Sequence, residues 1–190
     1  MAPGGDRIRR GGRRPRRARA ACAIALAAAV LAGCGTAGAG APVAPSPMTV
    51  GSEAFISGML AQRYTCHGAR INPPLNWSGA PPGTKSLALI VDDSSAPITP
   101  LIYWIVFHIN PGTTDIQEGS LPTGAREAMN SAHSASYDAP CPTRQHMYRF
   151  TVYALRTALN LPNGAPLQEV VAAIAAATIG RGRKVVTGYP

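Results

Sequence analysis

Acidic side chains are scarce in this chain. Nine Asp and Glu stand against eighteen Lys and Arg, a formal net charge of +9 with a pI near 10.0. Such a surplus would suit a nucleic-acid partner, but it is unevenly spread. Eight arginines fall within the first nineteen residues, opposed only by Asp6. From residue 34 onward ten Lys/Arg meet eight Asp/Glu, a net +2. A charge that small makes no field to hold a polyanion, so nucleic acid is excluded as a partner of this part. Cysteine is rarer still, with four. No C-x-x-C or H-E-x-x-H occurs, so no metal site of familiar spacing is written in the chain. No G-x-S-x-G elbow is present, which removes that signature of a hydrolase. There is no internal repeat. Beyond residue 34 no apolar stretch is long enough to span a bilayer.

The first 33 residues have a different character. The arginines are followed by an apolar run from Ala20 to Ala32, then by Leu31-Ala32-Gly33-Cys34. A basic region, a short apolar region and small residues before a cut site make an export signal. The run is about 13 residues, too short for a permanent span of about 20. Leu-Ala-Gly-Cys resembles the bacterial lipobox, in which the cysteine sulfur is acylated with palmitate-type chains and becomes the new N-terminus. The alternative is a plain secretory signal that contains a cysteine. The Arg13-Arg14 and Arg16-Arg17 pairs are similar to twin-arginine signals, with flanks that match poorly. The expected organisation is a lipoprotein signal peptide over 1–33, a Gly/Ala/Pro-rich flexible tether over 34–50 and one domain over 51–190. The expected location is the extracytoplasmic side of a cell membrane, with membrane lipid as the partner through acylated Cys34.

Removing Cys22 with the signal and assigning Cys34 to the lipid leaves Cys66 and Cys141. In an oxidising compartment such a pair is expected to form a disulfide. Two buried free thiols are the alternative at this stage. Cys66, His67, Cys141 and His146 are all metal-ligand types, but adjacent Cys-His side chains rarely point at one ion, and no metal or cofactor is expected.

Three segments read as strands. Ser86 to Asp93 and Leu101 to Ile109 are nearly continuous apolar runs, which suit strands covered on both faces. Tyr148 to Leu155 alternates. One helix is expected from about Pro166 to Ile179, with Glu169 in its first turns and Gly180 as its stop. Several strands, many Pro/Gly turns and a single late helix predict a mainly β sandwich with one or two short peripheral helices. Alternation along a strand then places side chains. Leu87, Leu89, Val91 and Asp93 share one row, and His146, Tyr148, Phe150, Val152 and Ala154 share another. Tyr103, Ile105 and Phe107 form a third. An acid, a His-x-Tyr pair and a tyrosine therefore end core-facing rows, where polar groups need partners or line a pocket mouth.

The same residues carry a family likeness. In order come Tyr64-Thr65-Cys66-x-Gly68, Asn72-Pro73-Pro74-Leu75-Asn76-Trp77, Asp93-Ser94-Ser95-Ala96-Pro97 and Tyr103-Trp104. Pro140-Cys141-Pro142, His146-Met147-Tyr148-Arg149-Phe150 and Gly188-Tyr189 follow. From about residue 53 the chain resembles the phosphatidylethanolamine-binding protein (PEBP) family, in its bacterial Raf-kinase-inhibitor-like branch. The resemblance implies a PEBP-like β-sandwich with a small pocket for phosphate-like head groups near one end. Its pocket residues fall here on Asp93, Pro97, Tyr103, His146 and Tyr148. Four positions depart from the family pattern: Tyr103 stands for a histidine, Ser95 for an aspartate, Ala139 for a glycine and Thr143 for a proline. A phenol donates a hydrogen bond but carries no charge at neutral pH.

A serine triad from Ser94 or Ser95, His146 and Asp93 is disfavoured, since Asp93 directly beside Ser94 makes that geometry awkward. The leading expectation is a membrane-anchored, non-catalytic module that binds phosphorylated head groups or small anions. The alternative is an interaction protein that inhibits a kinase or a protease, with a vestigial pocket and an unknown protein partner.

Overall fold

The computed structural model describes residues 44–96 and 98–190. The signal region, Cys34 and Pro97 lie outside the described residues. The strands are β1 (Ser46–Pro47), β2 (Thr49–Gly51), β3 (Phe55–Ile56), β4 (Met59–Leu60), β5 (Leu75–Ser78), β6 (Ser86–Asp93), β7 (Leu101–Ile109), β8 (Asp115–Ile116), β9 (Arg126–Glu127), β10 (His146–Leu155) and β11 (Thr178–Gly188). One helix, α1 (Leu167–Ala177), precedes β11, and a 3-10 turn covers Gln62–Tyr64.

The large sheet runs β3-β4-β11-β10-β6-β7-β9, with β1 pairing β11 from the side. Its centre is antiparallel: β6 pairs both β7 and β10, and β10 pairs β11. All eight residues of β6 are buried, as its apolar run required. A smaller sheet, β2-β5-β8, covers one face. Met48, Val50, Leu75, Trp77 and Ile116 pack there against Leu87, Leu89, Val91, Phe150 and Val152. Helix α1 covers the other face. Val170, Ile174 and Ala177 recur at helical spacing and meet Ala88, Ile90, Ile105, Phe107 and Leu155. Together these elements form a mainly β fold of two sheets and one helix.

Three expectations change. Ser46–Pro47 and Thr49–Gly51 are strands, so part of the span expected to be tether belongs to the sheets. Gly182 permits this, because a side chain there would meet the Met48 carbonyl oxygen at 2.6 Å. The helix stops at Ala177 rather than at Gly180, and Thr178 closes it by donating from Oγ1 to the Ile174 carbonyl at 2.6 Å. The chain then passes straight into β11, a strand of eleven residues that the Gly/Arg/Lys-rich sequence did not announce. Finally, the β6–β7 pairing shifts register twice, between Leu87/Leu89 and Val91/Asp92. The first shift holds His108 at φ 58°, with its Nδ1 buried and unpartnered among the described residues. The second moves Tyr103 out of the row of Ile105 and Phe107. Tyr103 packs instead on the side of the smaller sheet, together with Trp104.

Candidate functional site

That second shift builds the site. Asp93 ends β6, and Tyr148 stands directly opposite it on β10. His146, two residues earlier on β10, points to the same face. Tyr103, turned inward by the shift, meets the Tyr148 ring edge-on at 5.7 Å between centroids. The His146 ring lies nearly parallel to that of Tyr148 at 6.2 Å. Four of the five pocket residues read from the sequence are thus gathered at one end of the large sheet. The fifth, Pro97, lies outside the described residues.

The carboxylate of Asp93 is 1% exposed and anchors the group. Its Oδ1 accepts the Ser95 backbone N–H at 2.7 Å, and its Oδ2 meets His146 Nδ1 at 2.6 Å. An ionised carboxylate only accepts, so Nδ1 carries the proton in this contact. That orients the ring and leaves Nε2 for a ligand. The imidazole is 20% exposed and so can be reached. Ser94 and Ser95 close the turn. Ser94 Oγ donates to the Met147 carbonyl at 3.0 Å, and Ser95 Oγ accepts the Met147 N–H at 2.8 Å. Both hydroxyls are engaged by backbone, and among the described residues neither bonds His146. Ser95, which replaces an acid in the resemblance, therefore has a positioning role of its own.

Tyr148 is fully buried, and its hydroxyl has no hydrogen-bond partner among the described residues. Burial, with Tyr103 and then Asp93 nearby, pushes its ionisation far above that of a free phenol. Burial and the charges of Asp93 and Asp138 push Tyr103 the same way. Both phenols therefore stay protonated at any physiological pH and present O–H donors. Gly188 makes room for this arrangement. A Cβ there would strike the Tyr148 ring, so its missing side chain is the space the ring fills.

Four supporting residues were given no role in the site from the sequence, although Gly188 was part of the family likeness. Gly188 is one. Asn130, buried in a loop, donates from Nδ2 to the carbonyls of Tyr103 and Ser136 at 3.2 and 3.1 Å. Its Oδ1 accepts the N–H groups of Ala132 and Ser134. Tyr137 donates to the Tyr64 carbonyl at 2.8 Å, and Asp138 N–H bonds the Tyr103 carbonyl at 3.0 Å. An Asn in a Ser-rich stretch was the available signal for Asn130, since such residues bond nearby backbone. This loop is fastened by the expected disulfide. Cys66 and Cys141 are joined with Cα atoms 5.1 Å apart, and Cys66 N–H donates to the Pro140 carbonyl at 2.9 Å. The open alternative of two free thiols is thereby resolved. The ligand atoms of Cys66, His67 and Cys141 lie within 4.8 Å of one another, but the sulfurs are bonded to each other, which removes both thiolates as ligands.

A buried acid that orients a reachable histidine and two neutral phenols form a small polar cluster at one end of a β-sandwich. Comparison with known proteins names the class. The sequence profile described as "Phosphatidylethanolamine-binding protein" matches residues 51–189, and the chain belongs to this family. It is 40% identical over 148 residues to a Mycobacterium tuberculosis H37Rv protein named "Putative lipoprotein LppC", covering 76% of this chain and 73% of that one. A UPF0098 protein of Methanothermobacter thermautotrophicus is 39% identical over 134 residues, 67% of this chain and 89% of the relative. Among solved structures, YbcL of E. coli, described as a member of the mammalian PEBP family, superposes with a TM-score of 0.70 at 27% identity. That match covers 75% of this chain and 98% of YbcL.

Proposed function

We propose that the domain is a non-catalytic receptor for phosphorylated head groups or small phosphate-type anions, exported and held at a cell membrane through acylated Cys34. The observation that carries this reading is the buried, unpartnered hydroxyl of Tyr148 beside the Asp93–His146 pair. An empty donor in a buried place costs stability unless a ligand satisfies it. In this reading His146 meets the anion as an imidazolium, with Nδ1–H held by Asp93, so that Nε2–H and the Tyr148 hydroxyl donate to anion oxygens and Tyr103 adds a third donor. The likeness to a relative named as a lipoprotein supports the anchoring. Among the described residues no helix is long and apolar enough to cross a membrane.

Titration of the purified protein with inorganic phosphate and with phosphoethanolamine tests the reading. The expected result is saturable binding that His146→Ala abolishes while circular dichroism and the unfolding midpoint stay close to wild type. No binding of either compound up to millimolar concentrations would sink it, and would favour the kinase- or protease-inhibiting alternative.

A further inference from the structure

The large sheet has a second face, and a cleft opens on it. Asp92 precedes Asp93, so its side chain leaves β6 on the opposite side. There Arg149 of β10 donates from Nε to Asp92 Oδ2 at 2.9 Å and from Nη2 to the same oxygen. Asp92 is 8% exposed and Arg149 is 25% exposed. Arg183 of β11 lies alongside, its Nε bonded to Thr151 Oγ1 at 3.0 Å. Asp92, Arg149 and Arg183 line a cavity of about 330 Å³ whose remaining wall includes Ile90, Ile102 and, from the start of α1, Leu167 and Val171.

Charge and size together specify a ligand. Two guanidiniums and one carboxylate line the cleft, with no other Asp, Glu, Lys or Arg, so it carries a net +1. That balance suits a monoanion rather than a dianionic phosphate. Among the described residues, Nη1 of Arg149 and both Nη atoms of Arg183 have no protein acceptor. Guanidinium forks match the planar carboxylate in geometry. The volume lies at the low end of small-ligand pockets, which leaves room for one short chain or ring and not for a two-chain phospholipid.

We propose that this cleft binds a small amphipathic carboxylate, its head on Arg149 and Arg183 and its apolar body against Ile90, Ile102, Leu167 and Val171. The site lies back to back with the phosphate-type site and does not depend on it. Calorimetric titration of the purified protein with decanoate, acetate and 1-decanol is the test. Decanoate is expected to bind at least about tenfold tighter than either control, because only it satisfies both walls. Arg183→Gln changes an exposed side chain and should leave folding intact. It is expected to weaken decanoate at least about tenfold, the scale of a lost charged hydrogen bond. Val171→Trp, which fills the apolar end, should weaken it as well, while His146→Ala leaves it unchanged. Decanoate binding no tighter than 1-decanol or acetate overturns the proposal. So does unaltered affinity in Arg183→Gln. Loss of decanoate binding in His146→Ala overturns it too, by placing the ligand at the other site.

Discussion

Tyr148 holds a donor that the folded chain leaves unused. Leaving a buried hydroxyl unpaired costs about 1–3 kcal/mol, and its ring is accommodated only because position 188 is glycine. The expectation for Tyr148→Phe is therefore two-sided. Without ligand the variant should be as stable as wild type or up to about 2 kcal/mol more stable, since the orphan group is gone. Its anion affinity should fall about tenfold, the scale of one lost hydrogen bond to a charged group. Urea unfolding with phosphate titration checks both, and a clearly destabilised variant would show that the hydroxyl is satisfied in solution. The raised ionisation of Tyr148, Tyr103 and Tyr137 also has a pH consequence. The folded state resists losing these protons more than the unfolded chain does. Their stabilising contribution is whole below the unfolded phenol value of about 10 and is lost as pH rises through the higher folded values. The protein should therefore unfold more readily in urea above about pH 10, and Tyr148→Phe should flatten that decline.

At the scale of elements, legibility in the sequence followed burial. β6 and β7 were readable because strands covered on both faces must be apolar along their length, β10 because its residues alternate, and α1 because its buried side recurs at helical spacing. β11 was not, because its partners lie elsewhere in the chain: the small sheet and β1 need its glycines, and its outward positions are Arg and Lys. Tyr103 shows the same limit at finer grain. Its pocket role came through the family likeness, but simple alternation put it in the row of Ile105 and Phe107. The bulge that turns it inward is a property of the β6–β7 pair, which no single strand encodes. The disulfide joins two such distant pieces, the segment after the 3-10 turn and the loop that carries Tyr137 and Asp138. Closing 75 positions of chain is worth about 4–5 kcal/mol in the chain-entropy estimate, with about 2–4 kcal/mol more typical. Replacing both cysteines by serine should cost about that much in urea unfolding. Anion affinity should fall less than in His146→Ala, because the loop meets the site through hydrogen bonds to the Tyr103 backbone. A double variant as stable as wild type would rule out a structural disulfide.

For the whole molecule, the topology separates the start of the described chain from the proposed site. β1 joins the large sheet beside Gly180 and Arg181, whereas His146 pairs with Gly188 at the other end of β11. Eight strand residues separate the two, about 26 Å at strand spacing. Cys34 precedes Ser46 by twelve residues, at most about 40 Å of extended chain. If Cys34 is acylated as proposed, reaching its bilayer from the His146 end of β11 would take most of that length. Two results follow for Cys34→Ala expressed in a bacterial host. The exported protein should move from the membrane to the soluble fraction and lose the mass of its acyl chains. Its affinity for inorganic phosphate should match that of the anchored form in vesicles within about twofold, because Ser46 and His146 lie at opposite ends of β11. Retention at the membrane would refute acylation at Cys34. A large gain in affinity on release would show instead that the anchored domain turns its site toward its own bilayer.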